Sequence, residues 1–289
     1  MTSLLVLSGK GGAGKTTVAS SLIKLFNSNV YADVDVDAPN LHLIMNPQTK
    51  PKTSDYYGSK KAVIDLQKCI GCGKCAEVCR FNAINKTSDD KYQVNEYACE
   101  GCAVCELVCQ FDAIKMIDDI SGETQIYKGE EYFSTAKLKM GRGNSGKLVT
   151  QVKDNLIESD TITIIDGSPG IGCPVIASIT GVDYVLLVTE STISGFHDMK
   201  RIAKTCESFQ TPYFVCINRA DISTDITDKI IEYCNNKNVE MVGKIPYDKE
   251  VTKCINDGIN IADTNIPASL AIKEIFYNIN NILKKEEVN

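Results

Sequence analysis

Apolar residues fall along the chain in short runs, separated by longer stretches of helical spacing. Leu4 to Leu7 is one such run, and it ends in a glycine-rich loop. Val18, Leu22, Ile23, Leu25 and Phe26 then recur at helical spacing, with Ser20, Ser21 and Lys24 between them. Val30 to Asp33 reads as a second strand and closes on Asp33-Val34-Asp35-Val36-Asp37. Thr49 to Lys61 is polar and contains Pro51 and Gly58, which predicts a linker. Further apolar runs lie at Ile162 to Ile165, Tyr184 to Val188, Tyr213 to Ile217 and Val239 to Val242, each followed by a polar loop. Strands alternating with helical patterns predict an α/β, doubly wound, mostly parallel sheet. Ligands of such sheets collect at the carboxyl ends of strands, where the glycine-rich loop, Asp33 to Asp37, Asp166 and Asn218 all fall.

A repeat interrupts this rhythm between residues 62 and 118. Cys79-Arg80-Phe81-Asn82-Ala83-Ile84 returns as Cys109-Gln110-Phe111-Asp112-Ala113-Ile114. Each half carries a C-x2-C-x2-C-x3-C ladder: Cys69, Cys72, Cys75 and Cys79, then Cys99, Cys102, Cys105 and Cys109. Thiolates at these spacings bind [4Fe–4S] clusters, and in two-cluster arrangements the fourth cysteine of each ladder crosses to the other cluster. One cluster is therefore assigned to Cys69, Cys72, Cys75 and Cys109, the other to Cys99, Cys102, Cys105 and Cys79. Zinc is the alternative, although four-cysteine zinc sites typically use two separated C-x2-C pairs. The expected organisation is a first part of an α/β domain at 1–61, an inserted two-cluster domain at 62–118 with an exit turn at Ser121-Gly122, and the rest of the α/β domain at 119–289.

Composition sharpens this picture only in part. The 289 residues are 43% hydrophobic and carry a formal net charge of −6, which gives no argument for nucleic acid or an anionic membrane as partner. Thirteen cysteines would suggest disulfides in a short secreted chain. Here Met1-Thr2-Ser3 runs directly into the first strand, no apolar run approaches a membrane span, and eight cysteines fall in the ladders. A reducing cytoplasm is expected. The amphipathic stretch from Ile272 to Leu283 is expected to pack as a last helix rather than serve as a membrane anchor, because Lys284-Lys285-Glu286-Glu287 is mixed in charge.

Gly9-Lys10-Gly11-Gly12-Ala13-Gly14-Lys15-Thr16-Thr17, set between a strand and a helix, is a phosphate-binding loop. Its backbone N–H groups would surround phosphate oxygens, Lys15 would reach the β- and γ-phosphates, and the Thr16 hydroxyl would ligate Mg²⁺. Three carboxylates at one strand end, Asp33, Asp35 and Asp37, call for a nearby cation. Gly141 to Lys147 repeats the G-x4-G-K spacing, but Leu148 stands where a magnesium-binding hydroxyl belongs, and no buried strand is expected before it.

Lys10 places the loop in a narrower class. With K-G-G-x-G-K-T the sequence resembles the deviant Walker A group, which contains septum-site and plasmid-partition ATPases, the nitrogenase iron protein and Mrp-like iron–sulfur carriers. The ladders make the chain resemble a branch of the MinD superfamily with an inserted, bacterial-ferredoxin-like domain. The resemblance implies ATP hydrolysis, and a nucleotide-dependent homodimer, or a heterodimer with a paralogue, in which Lys10 reaches the partner's phosphates. It implies Asp35 as the carboxylate that orients the attacking water, Asp33 deeper in the magnesium shell, and Asp166 as the Walker B aspartate. Gly170 would donate its N–H to the γ-phosphate, and Asn218, Arg219 and the Pro246 loop would hold the base. Arg80 and Gln110 replace the proline that usually follows each ladder. Cys173 lies where the nitrogenase iron protein has a cluster ligand, but the second cysteine of that arrangement has no counterpart here.

Three functions share this chemistry. One is ATP-gated electron transfer to a redox or metallocofactor protein. Another is iron–sulfur or metal-cofactor assembly. The third is spatial organisation, with the clusters as a redox sensor.

Overall fold

A computed structural model describes residues 2–286. The chain opens with β1 (Ser3–Leu7), α1 (Lys15–Leu25), β2 (Val30–Asp33) and α2 (Leu41–Met45). Short elements follow: β3 (Lys52–Tyr57), β4 (Lys61–Ile64), α3 (Lys74–Glu77), β5 (Ile84–Lys86), β6 (Tyr92–Val94), α4 (Val104–Val108) and β7 (Ile114–Ile117). Two longer strands, β8 (Ile120–Lys128) and β9 (Tyr132–Leu138), lead into α5 (Ser145–Asp154), β10 (Thr163–Asp166) and α6 (Cys173–Ile179). The remainder is β11 (Tyr184–Glu190), α7 (Ile193–Ser208), β12 (Tyr213–Asn218), α8 (Thr224–Lys237), β13 (Met241–Ile245), α9 (Glu250–Asn256) and α10 (Pro267–Glu286).

The largest sheet has the order β13-β12-β11-β1-β10-β2-β9-β8-β3. Each neighbouring pair from β13 to β9 is parallel, as the alternation of strands and helices predicts. Because these strands are parallel, the carboxyl ends of β1, β10, β2, β11 and β12 lie at one edge, where the order reverses around β1. All five residues of β1 are buried, as befits a central strand covered on both faces.

The chain divides into two compact units. The first comprises residues 1–53, 124–137 and 145–289. Its helices cover the parallel sheet. α10 buries Ile272, Ile275 and Ile279, and Leu283 is nearly as deep, so its apolar stripe is spent on the core. Each such side chain contributes about 1.5–3 kcal/mol when fully buried.

The second unit comprises residues 54–123 and 138–144, and so extends beyond the 62–118 insert read from the sequence. It contains two antiparallel ribbons, β4 with β7 and β5 with β6. Its small core consists of Ala62, Ala83, Ile84 and Ile114 packed with Cys75, Cys99 and Cys105. Arg142 explains why 138–144 belongs here. Its guanidinium donates to Glu96 Oε2 at 2.6 Å, pairs with Asp119 Oδ1 at 3.1 Å, and lies 5.2 Å from the centre of the Tyr97 ring.

Four local expectations are corrected. The polar stretch from Thr49 to Lys61 contains β3, whose residues are exposed except for Tyr56 and so show no apolar run. Ser121-Gly122 is no exit turn but lies inside β8. The strand expected at Val239 begins at Met241, because α8 runs to Lys237 and Asn238 closes it with φ +53°. A largely buried strand, β9, does precede Gly141 to Lys147, but its helix already begins at Ser145.

Candidate functional site

The loop between β1 and α1 opens onto a cleft of about 580 Å³. Gly11, Gly12, Gly14, Lys15, Thr16 and Thr17 line one side, while Asp35, Asp37 and Ser168 face them from the neighbouring strand ends. Asn218, Arg219 and Pro246 also line the cleft, together with Tyr247. Ala13 is buried, and its carbonyl accepts from Asn218 Nδ2 at 2.9 Å. Gly14 has φ +88°, and a Cβ there would fall 2.3 Å from the same Asn218 nitrogen. Only glycine meets both constraints, so the loop and the Asn218 side chain are fitted to each other. Asn218 Oδ1 accepts from the Arg219 N–H at 2.9 Å, leaving one amide N–H and one oxygen lone pair for a ligand.

The centre of the cleft is ionic. Lys15, 6% exposed, donates to Asp166 Oδ1 at 2.5 Å, and the Thr16 hydroxyl donates to Asp166 Oδ2 at 2.7 Å. Asp33 lies behind them, fully buried. Burial, then the Asp166 charge, push its carboxyl up to about 7, although Lys15 and two backbone N–H groups pull it down. Its oxygens accept the N–H groups of Asp35, Asn40 and Leu41 at 2.9–3.0 Å. Asp33 therefore shapes the loop from 35 to 41 through three backbone N–H groups. Asp35 does face the cleft, and burial pushes its carboxyl up to about 6 against the pull of Lys15. Thr16 and Asp166 supply the hard oxygen donors that magnesium prefers, so the donor set fits a Mg²⁺–phosphate ligand. Gly170, with φ +98°, gives its N–H to the Ser8 carbonyl at 3.0 Å rather than to the cleft.

Lys10 also has a partner that the sequence did not reveal. Its ammonium lies 3.0 Å from Glu190 Oε2, and Glu190 Oε1 accepts from Arg219 at 2.5 Å. Glu190 closes β11 and is 6% exposed. The available signal was an acidic residue ending an apolar run, the same signal that marked Asp33 and Asp166. The apolar run itself stops at Val188, two residues short of it.

In the second unit the eight ladder cysteines surround two cavities. One is lined by Cys69, Cys72, Cys75 and Cys109, the other by Cys99, Cys102, Cys105 and Cys79. The ladders adopt matching backbones. Gly71 and Gly101 have φ of +74° and +72°, Gly73 and Ala103 +81° and +62°, and Asn82 and Asp112 +50° and +47°. At Gly101 a Cβ would meet the Lys60 carbonyl oxygen at 2.3 Å, so the chain can curl there only without a side chain. Cys79 Sγ accepts the Ala83 N–H at 3.4 Å. Burial pushes the Cys105 thiol up to about 11 and raises Cys75 as well, so both need a cationic centre to become thiolates.

Among the described residues, no three His, Cys, Asp or Glu side chains converge on one point that a single ion could occupy. Four thiols line each cavity, a donor set that an iron–sulfur group would use. The other cysteines lie elsewhere. Cys173 is exposed at the start of α6, Cys206, Cys216 and Cys234 are buried, and Cys254 is half-buried. No helix among the described residues is long and apolar enough to cross a membrane.

These features have counterparts in known proteins. The chain is 36% identical over 281 residues to an uncharacterized protein of Methanocaldococcus jannaschii, with 94% of each chain covered. A 47-residue stretch, 16% of this chain, is 40% identical to 29% of an uncharacterized polyferredoxin-like protein of the same organism. In fold, the chain matches the cell division ATPase MinD of Pyrococcus furiosus with a TM-score of 0.58 at 16% identity, covering 97% of this chain and 99% of that one. The model of the CobQ/CobB/MinD/ParA nucleotide-binding domain matches residues 4–261, and the chain belongs to that family of P-loop proteins.

Proposed function

We propose that this protein binds and hydrolyses ATP, holds two [4Fe–4S] clusters, and couples a nucleotide-dependent dimer to electron delivery to a partner protein. The observation that carries this reading is the pair of four-cysteine cavities on the same chain as the nucleotide cleft. Cys69, Cys72, Cys75 and Cys109 would hold one cluster, and Cys99, Cys102, Cys105 and Cys79 the other. When bound, such clusters supply one-electron storage at potentials set by hydrogen bonds and exposure. The Ala83 N–H to Cys79 Sγ is one such bond in the resting chain.

In the cleft, the loop N–H groups would cradle the phosphates, and Lys15 would exchange Asp166 for β- and γ-phosphate oxygens. Thr16 and Asp166 would then hold magnesium, and Asp35 would orient the attacking water. Asn218 and the Pro246 loop would hold the base. Lys10 would leave Glu190 and reach the phosphates of a second copy.

Complete four-cysteine ligation favours electron transfer over assembly, since a carrier needs a cluster that it can release. The test is anaerobic EPR titration of iron-loaded protein with and without Mg-ATP, in parallel with Lys10→Ala. The reading expects nucleotide to shift the cluster potentials in the wild type and not in the variant. Potentials that ignore nucleotide in both would reject the coupling.

A further inference from the structure

The β11 strand lies between β1 and β12 in the sheet. Its last residue, Glu190, therefore stands between the strand ends that carry Lys10 and Arg219. One carboxylate oxygen takes each cation, Oε2 the Lys10 ammonium at 3.0 Å and Oε1 the Arg219 guanidinium at 2.5 Å. The carboxylate is nearly buried, whereas Lys10 and Arg219 are 40% and 41% exposed. Arg219 is itself fixed, because its carbonyl accepts the Ser191 hydroxyl at 2.6 Å and its N–H goes to Asn218.

A buried carboxylate needs at least one cation, and losing both would leave an uncompensated charge. With two cations present, one can depart while the other keeps the charge paired. Lys10 has a solvent path and one backbone tie, its carbonyl accepting the Ser8 hydroxyl at 3.0 Å, whereas Arg219 is held at both ends of its backbone. The cation able to leave is Lys10.

We propose that Glu190 is a positioning residue for Lys10. It holds the lysine within its own subunit in competition with nucleotide phosphate, and Arg219 weakens that hold by sharing the carboxylate. The lysine is then available only in the fraction of molecules where it has left Glu190, and apparent nucleotide affinity falls by that fraction. This inference rests on the nucleotide-binding reading for its consequence, but not for the pairing itself.

Two measurements on the full chain separate these. The first, without nucleotide, follows acylation of the Lys10 amine by limiting N-hydroxysuccinimidyl acetate, read by mass spectrometry. An ion-paired amine is shielded, so Glu190→Gln should react several-fold faster and Arg219→Gln several-fold slower. Arg219→Lys, which keeps the charge, should stay near wild type. The second measures the ATP concentration giving half-maximal hydrolysis, expected to fall several-fold in Glu190→Gln and rise in Arg219→Gln. Because Arg219 also lines the cleft, the double variant is decisive. If Arg219 acts through Glu190, Arg219→Gln adds nothing in the Glu190→Gln background.

Equal Lys10 acylation in wild type and Glu190→Gln overturns the proposal whatever the ATPase does. A wild type that neither binds nor hydrolyses ATP would sink the nucleotide reading, with the acylation result still deciding the pairing. Glutamine keeps the shape and one acceptor of Glu190, and both cations are solvated enough to stand without it. A thermal melt confirms that the variants are folded.

Discussion

The Lys15 ammonium and the Asp166 carboxylate form a buried ion pair at 2.5 Å, at the point where α1 begins and β10 ends. The Thr16 hydroxyl occupies the other Asp166 oxygen. Three side chains that a Mg²⁺–phosphate ligand would use are therefore already engaged with one another.

Breaking this pair from one side should be costly. Asp166→Ala leaves the Lys15 ammonium buried without its carboxylate, a change worth on the order of 3–5 kcal/mol. Denaturant unfolding should show that loss, with Asp166→Asn intermediate. An Asp166→Ala protein as stable as the wild type would mean that Lys15 finds solvent or another partner.

Stability should also depend on pH in a particular direction. Burial lifts Asp33 to about 7 and Asp35 to about 6, above the values near 4 of an unfolded chain. The folded form then holds protons that the unfolded form has released. The sign is a loss of stability as pH rises from about 4 through about 7, at most about 1.4 kcal/mol for each unit of lift in each group. Mg-ADP would set a cation against Asp166, whose charge helps raise both groups, and should flatten the slope. Thermal melts between pH 5 and 8, with and without Mg-ADP, check this. Identical slopes in both series would remove the electrostatic argument.

The crossed ladders can be tested by single substitutions. Cys109→Ser removes one wall of the cavity that contains Cys69, Cys72 and Cys75, although Cys109 belongs to the other ladder by sequence. Iron and sulfide content should fall, and the cluster signal that changes should be the one also changed by Cys72→Ser. If Cys109→Ser instead mimics Cys102→Ser, each ladder serves its own cluster.

Thiol chemistry should single out Cys173. It is exposed, whereas burial pushes Cys206 and Cys216 up to about 12 and Cys234 up to about 11. Thiolate is the reactive form, so these three should stay silent in the native protein. In iron-loaded protein a disulfide reagent should show one fast phase, absent from Cys173→Ser. A fast phase that survives that substitution would mean that the half-buried Cys254 or the ladder thiols are open to the reagent.

The phosphate loop and both ladders were legible because each motif runs within about a dozen neighbouring positions, a spacing the chain shows directly. Glu190 was not, since its role depends on β11 lying between β1 and β12, an adjacency the chain order conceals. Asp33 was placed at the right strand end, but its three backbone donors come from the loop that folds over it. The strands β3 and β8 carry too few buried residues to show an apolar pattern. Lys10 could be recognised as unusual from its position, whereas its pairing within the same chain could be seen only in three dimensions.

The interchange of Cys79 and Cys109 has a consequence for how the second unit can come into being. Each repeat alone encloses its cavity on three sides and lends its fourth thiol to its twin. A chain cut between the repeats would hold two unfinished enclosures, not one complete and one missing. The halves are thus interdependent: a lesion at Cys79 or Cys109 opens the cavity that the other repeat's three thiols line.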